Sequence, residues 1–166
     1  MKRFILFLAV LGICGSAYSQ KIVKNEKDDF TGRMITETSY TKFSDGFTCS
    51  LRKVDSTFIL QVSFNSGETL YSMDENAEFM IKLQDGNIIT LRNLEAVTGE
   101  YTHFNVGNVN ISHFLLQTKY LISETNLKLL QANKIEKVRF YTTDGYIERD
   151  VSEKNAKKLL KLFNLI

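Results

Sequence analysis

The sequence predicts an α+β fold: a mostly antiparallel curled sheet or two-layer β-sandwich of about eight strands, with two helices packed on it. A closed β-barrel with a C-terminal helix is the alternative. Three observations lead there. Hairpin patterns recur in which one strand face is apolar and the other polar. The local pattern Ile122-Ser123-Glu124-Thr125-Asn126-Leu127-Lys128 returns as Val151-Ser152-Glu153-Lys154-Asn155-Ala156-Lys157, each time a strand end, a Ser N-cap and the start of an amphipathic helix. Between the two copies lies a single hairpin turning near Asp144-Gly145. Two copies do not make a solenoid, so the repeat reads as one capping solution used twice.

Residues 1–19 read as a Sec-type signal peptide. Lys2 and Arg3 form the basic start, Phe4 to Ile13 the apolar run, and Ala17 and Ser19 the small residues before a cleavage after Ser19. Cys14 as a lipid-anchor site is a minor alternative, because Ile13 before it is not small. Residues 20–29 are polar and charged and read as a flexible lead-in. A single domain is expected over 30–166.

Arg33 to Phe43 reads as an edge strand or one lying mostly on the surface, followed by a three-residue turn, Ser44-Asp45-Gly46. An Asp55-Ser56 loop sets Phe47 against Phe64, Cys49 against Val62, Leu51 against Leu60 and Lys53 against Phe58. A slip of one residue would turn that apolar set to water. Gln84-Asp85-Gly86 as a three-residue turn pairs Ile81 with Ile89 and Phe79 with Leu91. Glu95 to Ser112 has ambiguous periodicity and reads as a loop, then a strand from near Val109 to Ile122 that is apolar on both faces and therefore central.

Ser123 caps a helix over 124–133 with Leu127 and Leu130 inward, and Asn133 ends it in the left-handed conformation. An Asp144-Gly145 loop places Val138, Phe140, Ile147 and Val151 on one face and Arg139 opposite Asp150, with Arg149 stranded on the apolar side. The last helix, 153–164, presents Ala156, Leu159, Leu160 and Phe163 to the core. Burying its three large apolar side chains contributes on the order of 5–8 kcal/mol before entropy.

The chain of 166 residues has 21 Lys+Arg and 19 Asp+Glu. Cleavage after Ser19 removes Lys2 and Arg3, leaving 19 of each sign. A neutral domain argues against nucleic acid as a partner. Cleavage also removes one of the two cysteines, so Cys49 has no intramolecular disulfide partner and the domain stands on its core. No run beyond the leader is long and apolar enough for a transmembrane span.

Chemistry-bearing residues are few. Cys49 falls on an apolar strand face and reads as an inert thiol. His103 and His113, the only histidines, lack metal-site spacing, and Glu26, Asp28 and Asp29 lack the calcium-loop alternation. No nucleophile elbow, phosphate loop or dinucleotide fingerprint occurs. No cofactor, metal or catalytic residue is therefore expected. Lys154, Lys157, Lys158 and Lys161 read as the solvated face of the last helix. Tyr101, His103 and Phe104, in a Gly- and Asn-flanked loop, are the expected contact residues for a protein, peptide or carbohydrate partner.

The leader ending in Ser19-Gln20, the start Asp28-Asp29-Phe30-Thr31-Gly32, and the run Lys134-Ile135-Glu136-Lys137-Val138-Arg139 leading into Asp144-Gly145 resemble a group of small exported proteins of undetermined role from Gram-negative gut bacteria. The resemblance spans most of the mature chain. It implies a periplasmic or cell-surface address and carries no catalytic residue across. The expected function is a secreted or periplasmic non-catalytic binding module. The alternatives are a carrier of a small apolar ligand or lipid inside the curled sheet, and a hydrolase with an unrecognised site.

Overall fold

The computed structural model describes residues 20–106 and 109–166, and side chains outside 104–111. The expected signal peptide with its cleavage point, and Cys14, lie outside the described residues. In chain order the elements are β1 (Ile22–Lys27), β2 (Met34–Thr38), β3 (Thr41–Ser44), β4 (Phe47–Val54), β5 (Thr57–Asn65), β6 (Ser72–Met73), β7 (Glu78–Leu83), β8 (Ile88–Arg92), β9 (Val97–Thr98), β10 (Glu100–Val106), β11 (Val109–Ile122), α1 (Glu124–Ala132), β12 (Ile135–Thr142), β13 (Gly145–Asp150) and α2 (Glu153–Phe163). All strand pairs are antiparallel.

A seven-stranded sheet runs β1-β2-β4-β5-β11-β10, with β3 also on β4; a four-stranded sheet runs β13-β12-β7-β8. The two are joined where the chain leaving β8 reaches β11. Asn93 bridges to Tyr120, and Leu94 N–H donates to the Lys119 carbonyl at 3.0 Å. The result is the expected α+β fold, a strongly curled half-barrel with two helices.

The β4–β5 register is the one the face argument requires, from Phe47↔Phe64 to Lys53↔Phe58. The β7–β8 register is too: Gly86 takes φ +91°, and Leu83 N–H donates to the Asn87 carbonyl at 2.9 Å across a three-residue turn. Leu51, Leu60, Ile81 and Leu116 are buried between the sheets, and phenylalanines stack through the middle. Phe47 lies 4.0 Å from Phe64 and 4.7 Å from Phe140, and Phe140 lies 4.2 Å from Phe79, centroid to centroid. α2 closes this core with Ala156, Leu159, Leu162 and Phe163. Leu162 takes the inward place expected of Leu160, which is only half-buried. Both Ser caps form: Ser123 Oγ accepts from Asn126 N–H at 3.2 Å and Ser152 Oγ from Asn155 N–H at 3.4 Å.

Five local expectations are corrected. Residues 20–29 are not a lead-in outside the domain, because β1 pairs along β2 and Lys21 exchanges hydrogen bonds with Ser39. The stretch 33–43 is two strands on one edge of β4, not one surface strand, and Phe43 is fully buried under α2. The link after β3 is Asp45-Gly46 alone, since Ser44 pairs with Phe47. Gly46 is required there: φ is +78° and an added Cβ would stand 2.7 Å from the Asn65 carbonyl oxygen. Asn133 ends α1 in extended, not left-handed, backbone, with its N–H bonded to the Leu129 carbonyl.

The fifth concerns β12–β13. Thr142 pairs with Gly145, so the loop is Thr143-Asp144, and Arg139 faces Glu148 instead of Asp150. A slip of two leaves the same residues on each face, so the apolar pattern cannot choose between the registers. Side-chain pairing can. The observed register gives Arg139 a two-nitrogen contact with Glu148 Oε2 at 3.0 and 2.6 Å and sets Phe140 across from Ile147. Arg149, stranded on the apolar side, places its guanidinium 5.6 Å from the Phe47 ring centroid, a cation–π contact.

Candidate functional site: a projecting ribbon

Tyr101, His103 and Phe104 lie on a strand, not the expected loop. β10 pairs with β11 without a bulge from Glu100↔Leu115 to Val106↔Val109. Tyr101 is 64% exposed and meets Phe114 edge-on at 5.5 Å. His103 is exposed, with Nδ1 3.1 Å from Ser112 Oγ. Phe104 pairs with Ile111 along the backbone; its side chain is outside the described residues. His113 pairs with Thr102 while His103 pairs with Ser112. Neighbouring register positions face opposite sides of a sheet, so the two imidazoles cannot share a metal ion. Among the described residues no group of three or more His, Cys, Asp or Glu side chains converges.

The base of this hairpin is held on both sides. Gly99 N–H donates to the Tyr71 carbonyl at 2.9 Å; Phe114 N–H donates to the Gly67 carbonyl at 2.8 Å, and the Phe114 carbonyl accepts from Ser66 N–H at 3.1 Å. Gly99 sits close to its neighbours: an added Cβ would lie 3.3 Å from the Tyr71 oxygen, a tight contact, and 3.6 Å from Phe114 Cβ. Past the base, β5 no longer accompanies β11: their pairing begins only at Leu115↔Asn65. β10 is the last strand of its sheet. The hairpin therefore runs on as a two-stranded ribbon of roughly 20 Å, at about 3.3 Å per residue.

Its composition differs from that of the other outer strands of the two large sheets. From Tyr101 to Thr118 there is no Lys, Arg, Asp or Glu. β1 carries Lys24, Glu26, Lys27 and a bulge; β8 carries Arg92; β13 carries Glu148, Arg149 and Asp150. Charges and bulges on an outer strand discourage a foreign strand from pairing with its free N–H and C=O groups. β10 has neither beyond Glu100 at its base. This charge-free run is the signal that a residue-by-residue search for contact side chains missed.

The remaining candidates are satisfied internally. Cys49 is fully buried, and burial pushes its thiol far up from its ordinary value, which makes it inert. The Asp28 carboxylate accepts from Thr31 Oγ at 2.7 Å, Thr31 N–H at 2.7 Å and Phe30 N–H at 3.2 Å. Those bonds, the Thr31 hydroxyl foremost, hold its pKa below the usual value, and the group serves the β1–β2 turn. On the outside of β12–β13, Glu148 takes Lys137 at 2.7 Å and Arg139 at 2.6 Å, and Lys137 also reaches Asp150 at 3.3 Å. Two cations face two anions there. An open depression of about 650 Å³ lies between the β4–β5 loop, the end of β8 and the start of α1; its ionisable lining residues are Glu75, Arg92 and Glu124.

Comparison with protein-family models, curated proteins and solved structures finds no match to this chain.

Proposed function

We propose that this protein is a non-catalytic interaction module that works outside the cytoplasm, with the β10–β11 ribbon as its contact element. The ribbon carries the reading: from Tyr101 to Val106, β10 is unbulged and uncharged, the longest such run on an outer strand of the two large sheets. Backbone groups on such a strand give a partner affinity by strand addition, and exposed Tyr101 adds an aromatic contact beside them. The address rests on the leader pattern at 1–19.

The interior supports the same reading. Phe43, Phe47, Phe79, Tyr120, Phe140 and Phe163 fill the half-barrel at 2% exposure or less. A lipid or apolar ligand would need the space these rings occupy. An enzyme would need convergent ionisable groups in a cleft; the cluster around Glu148 neutralises itself, and in the open depression lined by Glu75, Arg92 and Glu124 the arginine is held by Glu78 at 2.8 Å.

Photo-crosslinking tests the proposal. A benzophenone amino acid replaces Tyr101 on the ribbon or, as a control, Tyr146 on β13, which is 60% exposed. The chains are exported from a Gram-negative host and irradiated. A discrete adduct at position 101 and none at 146 is expected. Equal labelling at both positions, or none at either, removes the ribbon as the contact element.

A further inference from the structure

We propose that the occupant of the ribbon's free edge is a second copy of this chain, added antiparallel, β10 to β10, about a two-fold axis. This rests on the ribbon being the contact element, and it names the partner.

The argument is one of charge matching. A strand that adds to β10 meets Tyr101 to Val106, with no Lys, Arg, Asp or Glu to pair with. An acidic or basic segment would lose hydration there and gain no countercharge. The matching strand is therefore itself uncharged and unbulged along its edge. Among the described outer strands of the two large sheets, β10 has the longest uncharged edge, Tyr101 to Val106, against Ile88 to Leu91 on β8, while β1, β3 and β13 carry charge within the strand.

Geometry agrees. Antiparallel pairing of two identical strands is isologous and closes at two copies. The one charge on the strand, Glu100, sits at its first residue. In the paired arrangement it lies at the opposite end from its equivalent, so like charges do not meet. The clasp at Gly99 and Phe114 fixes the ribbon where it leaves the sheet, and β10 pairs along β11 without a register shift. The shared surface is small, so the dimer is a weak, concentration-dependent one.

Sedimentation velocity on the mature chain reads this directly, from about 1 µM to about 1 mM, a range that spans weak association. The wild-type mass is expected to rise from one chain toward two. Thr102→Lys sets a cation on each edge and should hold the protein at one chain throughout, while Thr102→Val should behave as wild type. A urea transition for Thr102→Lys matching wild type shows that the variant is folded. A wild-type chain that stays monomeric over the whole range overturns the proposal. If position 101 still crosslinks to another protein, only the identity of the partner has failed; if it crosslinks to nothing, the ribbon reading has failed with it. A dimer that survives Thr102→Lys overturns the β10-to-β10 pairing and leaves the ribbon reading to the crosslink at position 101.

Discussion

Replacing Phe140 with Ala should cost about 3–5 kcal/mol, the range for truncating a large buried ring. The site is built for the upper part of that range. Phe140 is 2% exposed and stands between the two large sheets, stacked on Phe47 of one at 4.7 Å and on Phe79 of the other at 4.2 Å. Burial of the ring alone contributes about 1.5–3 kcal/mol, and each aromatic pair about 0.5–1.5 more. Phe140→Leu keeps most of the volume and loses only the two ring contacts, so about 1–3 kcal/mol is expected. Urea unfolding followed by far-UV circular dichroism measures both. The midpoint should fall in the order wild type, Leu, Ala, with the slope unchanged. A loss under about 1 kcal/mol for Phe140→Ala would refute the reasoning. It would mean an interior loose enough to take a ligand, and would favour a carrier over an interaction module.

Three further predictions concern local features. Gly46→Ala should destabilise by more than about 1 kcal/mol in the same urea assay, because the left-handed backbone and the Asn65 carbonyl both oppose a Cβ. Cys49 should resist a thiol reagent in native buffer and react at once in denaturant; rapid native labelling would show that it is not sealed under the sheet. Lys137, and after it Arg139, hold the Glu148 carboxyl below its ordinary 4.5. A depressed folded pKa gives stability that is present above the unfolded value and is lost as pH falls through the folded one. Wild type should therefore exceed Glu148→Gln in urea midpoint at neutral pH, with the gap closing below about pH 4. A gap that is constant with pH would assign the effect to packing.

What could be read ahead of the coordinates follows from where a core stands behind the strand. β4–β5 and β7–β8 each have one face against the interior, so a single register satisfies Phe47, Leu51, Phe79 and Ile81, and it is the one found. Ser123 and Ser152 announced their helices because cap chemistry is local. β12–β13 slipped by two because faces repeat every two residues, and only the Arg139–Glu148 contact separates the registers. β11 reads as a strand from near Val109 to Ile122, as found, but the β10 arm of the ribbon reads as a loop for the complementary reason. Over most of its length it has left the sheet, so no buried face imposes alternation on residues 101–113. The resulting lack of periodicity looks like a loop, although the same residues are rich in the aromatic and β-branched types that favour strands. Tyr101, His103 and Phe104 lie on this strand, and the proposed contact rests on its backbone edge and freedom from charge more than on three separate side chains.

Backbone amide hydrogen exchange, followed residue by residue at low and at high protein concentration, tests the central claim most directly. The account predicts that protection on β10, over Tyr101 to Val106, rises with concentration while β1, β8 and β13 stay as they were. Protection that rises on β1 or β13 instead, or β10 amides that exchange at one rate throughout, would contradict it.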